Sequence, residues 1–242
     1  MINPNRTNYK LKTKNRIMSQ KVQNQEEVVV AEAVSKTERF FEENGKKVVV
    51  AIVALLLLVA GGYAYKYLVM DKNEVAAAEL IVAAQGHFAG EAPNYDLALN
   101  GDESGAGFLA VANEYGSTKA GNIAKHYAGI CYLHLGDLEN AAKYLAKYKA
   151  VRGLAAEVVN AQNLGLQGDV AVEQGDYAKA AKYFKKAVAT SENNYTAPLY
   201  LYKQGLALDA EGKVEAAKAC YKTVTEKYPN STEAREAEKL LY

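Results

Sequence analysis

Tryptophan is absent from this 242-residue chain, and cysteine, histidine and proline occur only two, three and four times. His87 stands alone, while His126 and His134 are eight apart on one predicted helix with no Cys, Asp or Glu at ligand spacing on the same face, so no metal site is expected. No Gly-x-Ser-x-Gly elbow, His-Glu-x-x-His helix or Cys-x-x-Cys pair occurs, which argues against an enzyme and against a bound cofactor. The Gly-rich stretch 86–107 has no Gly-Lys-Ser/Thr and no preceding strand, so it is not a phosphate cradle and is expected to be a long loop with one short helical turn. Net charge is only +1, and the basic residues near the start lack aromatic interleaving, which excludes a nucleic-acid module.

What the chain does have is an apolar run from Val48 to Tyr65, bracketed by Lys46, Lys47 and Lys66. Eighteen helical residues span roughly 27 Å, close to a bilayer's hydrocarbon thickness. A buried core helix or a cleaved signal peptide fits less well, because the run carries no charge and a 47-residue head precedes it. One amino-terminal transmembrane helix is therefore expected over residues 48–70, in contact with lipid.

Residues 1–47 hold ten Lys/Arg against six Asp/Glu, whereas residues 71–242 hold eighteen against twenty-two. Lys36, Arg39, Lys46 and Lys47 precede the span, and Lys72 is the only basic residue between Tyr67 and Gly116. That asymmetry predicts a cytoplasmic amino terminus and residues 71–242 outside, in a bacterial periplasm or its equivalent. Residues 1–33 read as a disordered head, with Met1 and Met18 both compatible starts, and 34–47 as an amphipathic juxtamembrane segment.

Beyond residue 107 the chain repeats. Gly136, Gly175 and Gly212 each have a glycine seven residues earlier (Gly129, Gly168, Gly205), an alanine five later (Ala141, Ala180, Ala217) and a bulky residue nine later (Leu145, Phe184, Tyr221). Matching offsets in three copies mark an internal helical repeat; its resemblance to tetratricopeptide repeats implies antiparallel helix pairs, with the alanines facing the first-helix glycines at the closest approach. Residues 114–120 echo residues 228–234, which suggests a degenerate earlier unit within 71–121. Three repeats then fill 122–230, and 231–242 reads as a capping helix. Cys131 and Cys220 fall at different depths of non-adjacent units, so two packed thiols rather than a bridge are expected.

The pattern resembles tetratricopeptide repeats, although copies lie 39 and 37 residues apart instead of 34, and the first-helix tryptophan is missing. The resemblance implies an all-α fold: a single amino-terminal transmembrane helix followed by a tetratricopeptide-like helical repeat solenoid. It further implies a protein-binding groove lined by the first helices. Carried onto this chain, that groove comprises Ile123, His126, Ile130, Leu133 and His134 from the first copy, and Gln162, Gly165, Asp169, Val172 and Glu173 from the second. The third adds Leu199, Tyr202, Leu206 and Asp209.

The juxtamembrane run Arg39-Phe40-Phe41-Glu42-Glu43-Asn44-Gly45-Lys46, set before one span and a repeat domain, resembles the ancillary subunits of the bacterial Sec translocon. That resemblance implies a single-pass protein of the bacterial inner membrane with periplasmic repeats. Its implied partners are the Sec translocon or another inner-membrane complex, and periplasmic chaperones or emerging polypeptides. Two functions stay open at this point: a chaperone-like translocon accessory, or a scaffold binding folded partners in envelope assembly or cell division.

Overall fold

The computed structural model describes residue 38 and residues 40–241; the expected head 1–33, residues 34–37 and Arg39 lie outside the described residues. The chain divides into two units, residues 1–66 and 67–242.

In the first unit, helix α1 (residues 40–65) exposes its apolar side chains all round, including Val50, Leu55, Leu58 and Tyr63. Helical residues run continuously over Phe40–Phe88, long and apolar enough to cross a membrane, and none of the apolar window is buried. A helix apolar on every face has no solvent-facing side and belongs in a large core or a membrane, which makes α1 a candidate span. The backbone of Lys66–Met70 takes the wider π-helical form.

Among the described residues, the regular structure of the second unit is helical apart from one hairpin of two-residue strands, Gly101–Asp102 against Gly105–Ala106. Its helices are α2 (Asp71–Phe88), α3 (Tyr95–Asn100), α4 (Phe108–Glu114), α5 (Lys119–His134), α6 (Leu138–Lys147), α7 (Leu154–Glu173), α8 (Tyr177–Thr190), α9 (Thr196–Ala210), α10 (Val214–Lys227) and α11 (Thr232–Glu238). Each packs chiefly on its neighbours in sequence, pairing α5 with α6, α7 with α8 and α9 with α10, while α11 closes the end against α9 and α10.

The three turns share one hydrogen-bond scheme. Gly136, Gly175 and Gly212 adopt φ of +79°, +74° and +83°, and the next amide in each turn (Asp137, Asp176, Lys213) donates five residues back, to the carbonyls of Tyr132, Ala171 and Leu208. This is the Schellman ending, which requires a residue without a Cβ clash. Asp137 and Asp176 then cap the second helix by accepting from the amides of Asn140 and Lys179, both at 3.0 Å. Lys213 occupies the same place without a side-chain cap, although its φ and ψ of −91° and 59° resemble those of Asp176, −89° and 71°. Lys213→Asp is therefore expected to stabilise the unit by about 1 kcal/mol, read as a higher thermal midpoint, because an aspartate would restore the missing cap. No rise in midpoint would contradict the assigned equivalence.

The first-helix glycines admit the bulky residues and not the alanines, which corrects the expected pairing. A Cβ on Gly129, Gly168 or Gly205 would lie 2.6 Å from Leu145 Cγ, 2.5 Å from Phe184 Cε1 or 2.3 Å from Tyr221 Cε1. The alanines are fully buried beside them.

The Gly-rich segment 86–107 is more ordered than its composition suggests. Helix α2 continues to Phe88, the Asn94 side chain caps α3 by accepting from the Leu97 amide at 3.0 Å, and Ala98 and Leu99 enter the core with Ile81, Phe108 and Cys131. His87 Nε2 lies 3.2 Å from Asp102 Oδ2, tying the hairpin to α2. The echo between 114–120 and 228–234 is structural but shifted by one residue: Tyr115 aligns with Tyr228, and the caps are Thr118 for α5 and Ser231 for α11. In both places the cap amide donates to the tyrosine carbonyl at 2.9 Å.

The uneven repeat spacing arises from α7, which has 20 residues, and from the extended link Tyr148–Gly153 after a 10-residue α6. Asn122 bonds both the amide and the carbonyl of Lys149, and Asn160 does the same for Val151. These side chains stand in for a strand partner along an otherwise unpaired backbone.

Candidate protein-binding groove

The helices expected to line the groove are α5, α7 and α9. In α5 the face is closed. His126 is 1% exposed, its Nδ1 3.2 Å from Asn163 Nδ2 of α7, and burial holds its pKa down at about 4. Ile130 is buried as well, Ile123 packs on the cluster shared by α2 to α5, and Leu133 joins Leu145 and Val170. His134 stacks on Tyr95 of α3, with centroids 4.0 Å apart and planes 1° from parallel. The groove reading of His126 and Ile130 is thus corrected to core, and His134 is covered on one side. The physical reason for His126 is that Asn163 of α7 bonds its ring and the ring of Tyr148, just after α6, lies 5.6 Å from it, while α3 covers His134 through Tyr95.

Between α7 and α9 the surface remains open. A cleft of about 280 Å³ is lined by Asp169, Val172, Tyr177, Lys203, Leu206 and Ala210, with Phe184 and Ala207 among its walls. Val172 and Leu206 are 36% and 42% exposed, an apolar pair on facing first helices. Lys203 Nζ bridges to both oxygens of Asp169, at 2.8 and 2.9 Å, linking the two helices. Glu173, next to Val172 in the chain, is exposed, as is Gln162, which lies toward His126 of α5 and not among the residues lining the cleft. Small residues at Ala207 and Ala210 leave the volume that larger side chains would occupy.

The remaining predicted residues face inward. Tyr200 lies against Gly165, where an added Cβ would fall 2.1 Å from its Cε1. Leu199 packs on the α7 to α9 core, and Tyr202 is half-buried against Tyr221, with ring centroids 6.0 Å apart. Asp209 accepts from Tyr221 Oη at 2.6 Å, which together with burial pushes the tyrosine's pKa well up. Tyr202 and Asp209 therefore brace the third helix pair rather than project into the cleft.

Lys203 was not anticipated. Repeat position does not mark it, because the copies here are 37 residues apart and the residue equivalent to Asp169 is Leu206; its role follows from the contact with Asp169. Leu154, Val158 and Tyr195 add exposed apolar surface at or just before the amino-terminal ends of α7 and α9, Leu154 and Tyr195 at 84% and 88% exposure.

Cys131 is buried, which pushes its thiol up to about 12, and Cys220 is half-buried; both are free. Among the described residues no cluster of His, Cys, Asp and Glu is arranged to hold a metal ion. In the juxtamembrane run, Phe40 and Phe41 are about half exposed with rings edge to face at 5.9 Å, and Asn44 donates to the Phe40 carbonyl at 3.3 Å. Glu43 and Lys46 are exposed, and Gly45 has open space where a Cβ would stand.

No curated protein matches the chain. A protein-family model described as tetratricopeptide repeat matches residues 171–241, from the end of α7 through α11. The chain is thus all-α, with a candidate membrane-spanning helix ahead of helix pairs similar to tetratricopeptide repeats, a non-enzymatic fold that binds proteins.

Proposed function

We propose that this protein is a single-pass subunit of the bacterial inner membrane that serves the protein translocation machinery as an accessory or chaperone-like module. In this reading the amino terminus is cytoplasmic and the repeats are periplasmic, where they engage the translocon, periplasmic chaperones or emerging polypeptides. The observation that carries the reading is the combination of an apolar helix exposed all round with an open, partly apolar cleft between α7 and α9. Supporting it are the concentration of Lys and Arg before the span and the Phe40-Phe41 run at its start. Binding through the cleft would bury Val172 and Leu206 against a partner's apolar side chain.

Topology and partner class are tested together. In cells with a permeabilised outer membrane, a membrane-impermeant thiol reagent is expected to label Asn194→Cys, an exposed position between α8 and α9. In the same cells, a photoreactive residue at Phe41 is expected to capture translocon subunits. Labelling that requires a broken inner membrane would overturn the orientation. Capture only of folded envelope-assembly or division proteins would replace the translocon assignment with a scaffold.

A further inference from the structure

The second unit is acidic overall, with eighteen Lys/Arg against twenty-two Asp/Glu in residues 71–242, yet its basic residues are not evenly spread. Residues 138–152 and 177–190, which contain α6 and α8, hold eight Lys/Arg and a single acid, Glu139. The lysines recur in register. Lys143 and Lys182 each follow a turn glycine by seven residues, Lys147 and Lys186 by eleven. All four are exposed, as are Lys179 and Lys185, and none of the six is ion-paired among the described residues. Lys147 and Lys186 also lie over the rings of Tyr144 and Tyr183, at 4.3 and 5.7 Å. In the third repeat the pattern ends: the equivalent positions are Ala219 and Thr223, and Lys222 pairs with Glu226.

We propose that the α6 and α8 face adsorbs to an anionic bilayer surface. Neither helix has an exposed large hydrophobic residue. A protein interface would need a desolvated apolar or aromatic anchor at its centre, whereas electrostatic attachment to lipid headgroups needs only clustered cations. Lysine suits that role because it is a mobile point charge that follows a diffuse field instead of forking onto one carboxylate. Between the two helices a cleft of about 290 Å³ is lined by Lys143, Lys179, Gln167, Gln174 and Tyr183, which place donors around a space fit for a headgroup phosphate. The chain's own candidate span would keep such a surface at high effective concentration, so the proposal rests on the membrane reading given above.

The test is lysine acetylation footprinting of the full chain, reconstituted into phosphatidylcholine vesicles with and without phosphatidylglycerol. Flotation with the vesicles checks the span by itself, and failure to float would sink the membrane reading. Given flotation, labelling at Lys143, Lys147, Lys182, Lys185 and Lys186 is expected to slow several-fold with phosphatidylglycerol at low salt and to recover at high salt. Labelling at Lys213 and Lys239, outside the stripe, is expected to stay constant. The double variant Lys182→Glu, Lys186→Glu should lose the protection of Lys143 and Lys147. Equal rates in both vesicle types would overturn the proposal. So would protection seen only in native membranes, which would assign the stripe to an acidic polypeptide.

Discussion

Replacing Phe184 with alanine is expected to cost about 3–5 kcal/mol of the second unit's stability, because the ring is 1% exposed and fills the space between α7, α8 and α9. It stacks 6.3 Å from Tyr200 and lies against the backbone of Gly168. A loss of this size is a large part of the stability of an ordinary domain. Gly168→Ala alone is expected to cost about 1–3 kcal/mol, since its Cβ would meet Phe184 Cε1 at 2.5 Å. In the Phe184→Ala background the same change should become neutral or stabilising by up to about 1 kcal/mol, as the clash disappears and alanine's better helix propensity remains. Denaturant unfolding of the full chain in detergent, followed by circular dichroism, measures the cycle. Equal costs of Gly168→Ala in both backgrounds would mean that the glycine does not make room for the ring.

Acidification is expected to destabilise the protein through His126. Its folded pKa of about 4 lies below the ordinary value near 6.5, because burial disfavours the imidazolium. Above pH 6.5 the ring is neutral in both states, and its contribution is fully present. As pH falls from 6.5 toward 4, the unfolded chain takes up a proton that the folded chain refuses. Stability is lost over that window, by about 3 kcal/mol for a difference of this size. His126→Gln removes the titration while keeping an amide able to reach Asn163. The gap between the wild-type and variant stability curves should therefore change by about 3 kcal/mol across the window and stay flat above pH 7. Parallel curves would show that His126 protonates freely in the folded state.

How legible the fold was depended on whether a feature is encoded locally. The turn glycines, the capping aspartates and the bulky residues nine positions on act through hydrogen bonds and contacts inside one helix pair, so their spacing carries the information. The partner of each first-helix glycine was less visible, since two residues of the second helix were candidates and only the packing distinguishes them. The fate of α5 was not legible at all. His126 stands at a position that is open in an isolated pair, and its burial comes from Asn163 of the next first helix and from the Tyr148 ring, contacts that spacing within one pair does not reveal. Residues 86–107 read as a loop because Gly, Asn and Asp dominate, yet the Asn94 cap and the buried Ala98 and Leu99 give α3 enough local and tertiary support to stack Tyr95 on His134. Likewise, Tyr202 and Asp209 were placed by repeat position, but Tyr221 draws both inward. Val172 and Leu206 are exposed on a cleft that the small Ala207 and Ala210 help to line.

The central claim is that the cleft between α7 and α9 binds a polypeptide in the membrane-anchored protein. It is tested most directly by photocrosslinking from Val172 and Leu206 in intact membranes, with Phe40 and Phe41 compared in parallel. The account predicts polypeptide adducts from the cleft positions. It also predicts that adducts formed from Val172 are lost when Leu206 is changed to aspartate, and that the helical signal is unchanged because Leu206 is 42% exposed. Adducts from Phe40 and Phe41 with none from either cleft position would contradict it, and would make the repeats a spacer for a contact made beside the membrane.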